Sequence, residues 1–326
     1  MDPTNQTNPN NSKNATPSYV FGPVPSRRLG LSLGVDLIPP KTCTFDCLYC
    51  EVGRTTDKTV SPKPFVPVSE VIAQVERRLS GCSPDAVTLA GSGEPTLHSE
   101  IDQVIESLHE ITDTRIALLT NGSLFWDEAI RQRARKADII MPTLSSAQEQ
   151  TFRRIHRPHP ALDLDTIVGG LKRLRREYDG QLFLEVVLLA GINDTEAELE
   201  GLKRLIMEIS PDKIQLNTVV RPPSDARAKP LDRKMLEDIK LFFGDKAEIV
   251  VDAPLAKKAL MSDSLARDLV DMVRRRPLRL TDMANSLGQS MDRVQDLVKG
   301  LIIKGYIIEK KHSGEIFYIG KEDNEA

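Results

Sequence analysis

Short, continuous apolar runs alternate along this chain with longer stretches in which apolar residues recur every three or four positions. The runs at 32–38, 86–90, 115–120, 139–143, 182–189 and 213–219 predict strands, because an uninterrupted apolar run bounded by turn residues suits a strand buried on both faces. Helical spacing between them predicts helices at 69–79, 100–111, 126–136, 163–178 and 195–209. Six strands alternating with helices predict an α/β fold with a parallel sheet. An open partial (β/α)6 barrel and a doubly wound sheet share this pattern, and periodicity does not separate them. A last strand is expected at 247–252.

The pattern changes towards the end of the chain. Helix-like stretches at 265–276, 281–288 and 290–304 precede strand-like runs at 306–310 and 315–319, which flank the turn His312-Ser313-Gly314. Two helices about a Gly turn followed by a hairpin resemble a winged helix-turn-helix. The expected organisation is a disordered tail at 1–18, a core domain at 19–254, a linker at 255–264, the winged unit at 265–320 and a tail at 321–326. A winged unit can take nucleic acid, a peptide or a protein partner. Its second helix carries Asp292 and Asp296 beside Arg293, Lys299 and Lys304, and Arg274-Arg275-Arg276 reads as a solvated face.

Composition narrows the classes. With 40% apolar and 28% charged residues the chain reads as globular, and no apolar stretch approaches the roughly 20 residues that span a bilayer. The first 18 residues, rich in Asn, Thr and Pro, lack the apolar centre of a secretory signal. Cysteine is scarce and clustered, so a reducing cytoplasm is the expected location and a disulfide scaffold is not. A formal net charge of −3 argues against indiscriminate nucleic-acid binding by the whole chain.

The chemistry concentrates in Cys43, Cys47 and Cys50, which occupy one short loop after the first predicted strand. Three crowded thiolates point to a soft metal. A closed zinc site needs four ligands, and Cys82 follows a predicted helix alone, as a free thiol. Three thiolates would leave one iron of a cubane cluster open to a chelating ligand. Spacing alone leaves cluster, zinc and coincidence open. Other unusual residues fall after predicted strands, where parallel α/β folds place their sites: Gly91-Ser92-Gly93-Glu94-Pro95, Asn121, Ser145, Asn193 and Arg221. Two glycines let backbone approach a ligand, and a carboxylate beside exposed amides can meet an ammonium group. Glu185 lies within an apolar strand, where it lines the interior or forms a buried, bonded structural carboxylate. Arg27, Arg28, Arg157 and Arg221, with Arg153, Arg154 and His156, are expected on the same carboxyl-end loop face, a basic set suited to a phosphate or carboxylate.

The cysteine run, with Tyr49 before its last cysteine, resembles the C-x3-C-x2-C signature of the radical S-adenosylmethionine (SAM) superfamily. Gly91 to Pro95 is similar to that superfamily's Gly-Gly-Glu-Pro motif, with Ser92 in place of one glycine. The resemblance favours the partial barrel. It implies a 4Fe-4S cluster on Cys43, Cys47 and Cys50, and SAM cleaved reductively to a 5′-deoxyadenosyl radical that abstracts hydrogen from a substrate. It implies SAM contacts from Tyr49, Gly91, Ser92, Gly93, Glu94, Asn121, Ser145, Glu185 and Asn193, and an electron donor such as flavodoxin or ferredoxin. The segments Phe21 to Gly30, Gly93 to His98 and Leu216 to Pro223 look like the branch grouped with the wyosine-forming tRNA enzymes, which implies a tRNA base or a peptide as substrate. This chain departs from that branch in lacking cysteines for a second cluster. A rival reading is an iron–sulfur redox-sensing regulator that binds DNA through its winged unit; it would need the cysteines but not the glycine-rich loop.

Overall fold

The structure, a computed structural model, describes residues 17–250 and 265–321. The expected tails, apart from Pro17, Ser18 and Lys321, and the 255–264 linker lie outside these. In chain order come β1 (Val20–Ser26), β2 (Gly30–Val35), β3 (Thr42–Cys43), β4 (Asp57–Lys58), α1 (Val68–Leu79), β5 (Ala86–Leu89), α2 (Ile101–Ile111), β6 (Ile116–Thr120), α3 (Glu128–Ala134) and β7 (Ile139–Pro142). Then follow α4 (Glu149–His156), α5 (Leu164–Glu177), β8 (Gln181–Leu188), α6 (Glu196–Ile209), β9 (Lys213–Thr218), α7 (Arg233–Phe243) and β10 (Ala247–Ile249).

Eight strands form one sheet in the order β1-β2-β5-β6-β7-β8-β9-β10. Every pairing from β2 to β10 is parallel, and β1 is antiparallel to β2. A doubly wound sheet reverses its strand order at a switch point; this one never does. It is the open partial barrel, with helices packed outside. Val71 and Val75 of α1 and Val104, Ile105 and Leu108 of α2 are buried in one core with Leu33, Val87, Leu118, Ile140 and Leu184 of the strands.

Besides the two-residue strands β3 and β4, three elements differ from the sequence expectation. β1 carries Pro23 and Pro25, which read as loop, but an edge strand tolerates the missing donors. α4 offers only Phe152 and Ile155 as apolar anchors among charged residues, too few to stand out. α7 buries Leu236, Ile239 and Phe243 at helical spacing, behind Asp232, whose carboxylate accepts the Met235 N–H at 2.8 Å.

The last unit consists of α8 (Leu265–Arg275), α9 (Leu280–Leu287), α10 (Met291–Ile303), β11 (Ile307–His312) and β12 (Glu315–Gly320). Three helices precede an antiparallel hairpin, closed by a two-residue turn in which Ser313 (φ 48°) and Gly314 (φ 82°) are both left-handed, as a tight hairpin requires. Its core of Leu269, Met272, Met283, Leu287 and Ile307 runs on into Phe21 and Val24 of β1. Arg78 of α1 pairs with Asp268 at 2.9 Å, and His312 lies 3.3 Å from the Val219 carbonyl beyond β9. The unit thus touches both the first strand of the barrel and the loop after β9. The expectation of a solvated Arg274-Arg275-Arg276 holds for Arg274 alone. Arg275 binds Asp36 at 3.2 Å and the Ser18 carbonyl, and Arg276 donates to the Pro25 carbonyl at 3.2 Å.

Candidate active site

The cysteine loop is held from two sides. The Asp46 and Leu48 N–H groups donate to the His156 and Ile155 carbonyls, both at 2.9 Å, so the last turn of α4 satisfies its orphan acceptors with the loop. From the other side, beyond β9, the Ser224 hydroxyl donates to the Cys47 and Leu48 carbonyls and the Ser224 N–H to the Cys50 carbonyl.

The sulfurs receive donors of their own. Backbone N–H groups of Thr44 and Phe45 reach Cys43, those of Val52 and Gly53 reach Cys50, and Asn121 Nδ2 lies 3.6 Å from Cys43 Sγ. Burial, and then the nearby Glu94 carboxylate, push the Cys43 thiol up to about 12. Burial and the neighbouring cysteines raise Cys47, and burial raises Cys50. A cluster that takes these sulfurs as thiolates must therefore displace protons, and N–H···S bonds are the protein's means of stabilising such thiolates and setting a cluster's potential. The donor set fits an iron–sulfur cluster. Among the described residues no three His, Cys, Asp or Glu side chains gather tightly enough for a single metal ion. Cys82 is a free thiol that donates to the Arg78 carbonyl at 3.2 Å.

His156, counted above with the basic residues, is buried, and burial pushes its imidazole down to about 3. It is neutral, 3.3 Å from Cys47 Sγ, and packed on Phe45, Tyr49 and Phe152. Its signal was the i, i+4 spacing from Phe152, which places both on one helix face. Asp46 and Ser224 carried no comparable signal.

The glycine-rich loop does something other than expected. A Cβ on Gly91 (φ 156°) would meet the Asp36 carboxylate, and one on Gly93 would stand 2.0 Å from the Thr42 carbonyl oxygen. Both glycines let this loop close on the cysteine loop and its neighbour Asp36. Ser92 clasps the same carboxylate through its N–H (3.1 Å) and hydroxyl (2.6 Å). Glu94 is buried; its Oε1 accepts from Thr96 N, Thr96 Oγ1 and Thr120 Oγ1, and its Oε2 from Asn121 N at 2.8 Å. Only Oε2 keeps acceptor capacity to spare. Asn121 also donates to Thr44 Oγ1 at 2.7 Å, which ties β6 to the cysteine loop.

Ser145 and Asn193 are fully buried scaffold. Ser145 Oγ accepts the Val187 N–H at 3.0 Å, while Asn193 donates to the Ser145 and Val187 carbonyls and accepts the Leu189 N–H. Both are occupied in tying the β7 and β8 ends together. Arg157, in left-handed conformation at the end of α4, pairs with Asp46 and Asp225 at 3.4 Å each and braces the cysteine loop. It is absent from the cavity wall.

That cavity, about 330 Å3, lies against the inner faces of β2, β5, β8 and β9. Tyr49, Cys50, Glu51, Gly91 and Glu185 line it, with Arg27, Arg28, Arg221, Arg275 and Arg276. Arg27 and Arg28 come from the β1–β2 turn at the amino ends of the parallel strands, not from the carboxyl-end loops as expected, and reach inward to Asn217 and Glu185. Glu185, also bonded by Thr143 at 3.0 Å and Asn217 at 2.9 Å, is both lining and structural. Burial pushes Arg28 down to about 10. Glu51 accepts two bonds from Arg221, at 3.1 and 3.2 Å. Its burial would raise its pKa, but Arg221, Arg27 and Arg276 outweigh that and hold it low. Burial, with Arg221 close by, pushes Arg276 down to about 9.

A sequential parallel barrel with three thiols on the loop after its first parallel strand, beside a charged cavity, defines a class of iron–sulfur barrel enzymes. The chain belongs to the radical SAM superfamily, whose family model matches residues 37–206. It is therefore a radical SAM enzyme, and its cofactors are a 4Fe-4S cluster and SAM. A UPF0026 protein of Methanocaldococcus jannaschii is 33% identical over 309 residues, covering 93% of this chain and 96% of that one. A Brachyspira hyodysenteriae protein named GTPase Obg is 35% identical over 303 residues; 92% of this chain takes part but spans only 45% of that protein. The crystal structure of a radical SAM methyltransferase from Sphaerobacter thermophilus has a TM-score of 0.52 at 18% identity, over 67% of this chain and 65% of that one, a likeness of fold.

Proposed function

We propose that Cys43, Cys47 and Cys50 hold a single 4Fe-4S cluster whose open iron takes SAM, and that the substrate occupies the barrel cavity. The observation that carries this is Cys50 in the cavity wall, on a loop whose sulfurs are met by backbone N–H groups. When bound, cluster and SAM supply a one-electron cleavage that yields methionine and a 5′-deoxyadenosyl radical able to abstract hydrogen. The chain's own part is to hold and shield. Asn121 and the backbone amides stabilise the thiolates, and Tyr49, stacked edge-on against His156 at 5.8 Å, seals the loop from the cavity side. Gly91, Ser92, Glu94 through Oε2, Asn121 and Glu185 remain the residues for SAM; Ser145 and Asn193 support them. The electron comes from a donor of the flavodoxin or ferredoxin kind in the cytoplasm. The regulator reading leaves the cavity unexplained. Anaerobic incubation of the reconstituted, dithionite-reduced protein with SAM should release 5′-deoxyadenosine and methionine, and Cys47→Ala should release neither; a wild-type protein that leaves SAM intact overturns the proposal.

A further inference from the structure

The cavity holds more positive than negative charge. Five guanidinium groups line it, against the carboxylates of Glu51 and Glu185 and that of Asp36 behind the wall. Four arginines have carboxylate partners: Arg27 and Arg221 share Glu51, Arg28 takes Glu185 and Arg275 takes Asp36. Arg276 has none among the described residues. It bonds only the Pro25 carbonyl, and its Nε, like that of Arg28, is buried without a partner. Glu51 and Asp282 act on Arg276 only from beyond ion-pair distance, and a buried guanidinium without a direct partner favours an anion that joins it.

We propose that this subsite binds the phosphate group of a small substrate, and that the C-terminal unit forms one wall of the active site by supplying Arg276. The five lining guanidinium groups outnumber the two lining carboxylates, an excess that a phosphate monoester, with close to two negative charges at neutral pH, can answer. Guanidinium forks match phosphate oxygens in pairs. A volume of about 330 Å3 is at the small end for ligand pockets, which run from about 300 to 1,000 Å3. With α8 against its side, the cavity suits a free small molecule better than a base presented on a folded RNA. The winged unit is thereby a structural part of the site, not a delivery arm.

This inference rests on reading the cavity as the substrate site. It is tested by calorimetric titration of inorganic phosphate into the anaerobically reconstituted full-length protein, with and without saturating SAM. One phosphate should bind per chain and stay bound with SAM present. Arg276→Ala should weaken it roughly 10- to 100-fold, the worth of a charge-assisted contact, and Arg276→Lys should weaken it less. Arg274→Ala, at an exposed neighbour, should leave it unchanged; should the alanine variant fail to fold, the lysine variant carries the comparison. No phosphate binding by the wild type, wild-type affinity in both Arg276 variants, or displacement of phosphate by SAM, whose carboxylate would then be the anion, each overturns the proposal. A protein that binds no phosphate yet still cleaves SAM loses this inference alone.

Discussion

Glu94 is the residue where type was legible and role was not. A carboxylate after two glycines at a strand end was visible in the sequence, but its four donors come from residues up to 27 positions away, which no local pattern reports. Glu94→Gln replaces acceptor capacity with an amide that must face those donors, so unfolding in urea should show a loss of about 2 kcal/mol. Asn121 acts at the cluster. Asn121→Ala should leave the iron content intact and move the cluster's midpoint potential to a more negative value, because one donor to Cys43 is lost. Spectroelectrochemical titration reads this shift, and an unchanged potential would make the Asn121 contact purely structural. Ser145, Asn193 and Arg157 show the same limit from the other side. Each is a polar residue at a strand or helix end, and only tertiary packing decides between ligand and scaffold.

At the scale of elements, α5 carries two adjacent glycines with opposite consequences. A Cβ on Gly170 would come within 2.5 Å of the Phe125 and Trp126 backbone, whereas one on Gly169 meets nothing within 4 Å. Gly169→Ala should therefore stabilise the protein by up to about 1 kcal/mol through helix propensity, and Gly170→Ala should destabilise it by about 1–3 kcal/mol through overpacking. Thermal unfolding of the two variants separates the signs. Most of the parallel strands were legible because they are short, largely apolar runs buried on both faces; β9 instead alternates Ile214 and Leu216 with polar residues. β1 and α4 were not, because one is an edge strand with two prolines and the other a polar helix with two anchors. Yet α4 shapes the cysteine loop and β1 joins the two cores.

For the molecule as a whole, strand order settled what periodicity had left open between barrel and doubly wound sheet. The winged unit's element order was legible from its helix and hairpin pattern, but its docking was not, since Arg275 and Arg276 look like any basic run until their partners are seen. Phe21 is shared between β1 and the C-terminal core, with the Arg275 guanidinium 5.1 Å above its ring. The two parts should therefore melt in one calorimetric transition. Phe21→Ala should cost about 3–5 kcal/mol and broaden or split that transition; two separate transitions in the wild type would contradict the shared core.

The central claim is that three thiols hold a cluster with an iron open to SAM. Electron paramagnetic resonance of the anaerobically reconstituted, dithionite-reduced protein, with and without SAM and beside Cys47→Ala, tests it most directly. The expected result is a reduced-cluster signal that changes when SAM is added and is missing in the variant. A cluster signal indifferent to SAM, or one that survives in Cys47→Ala, would contradict the account.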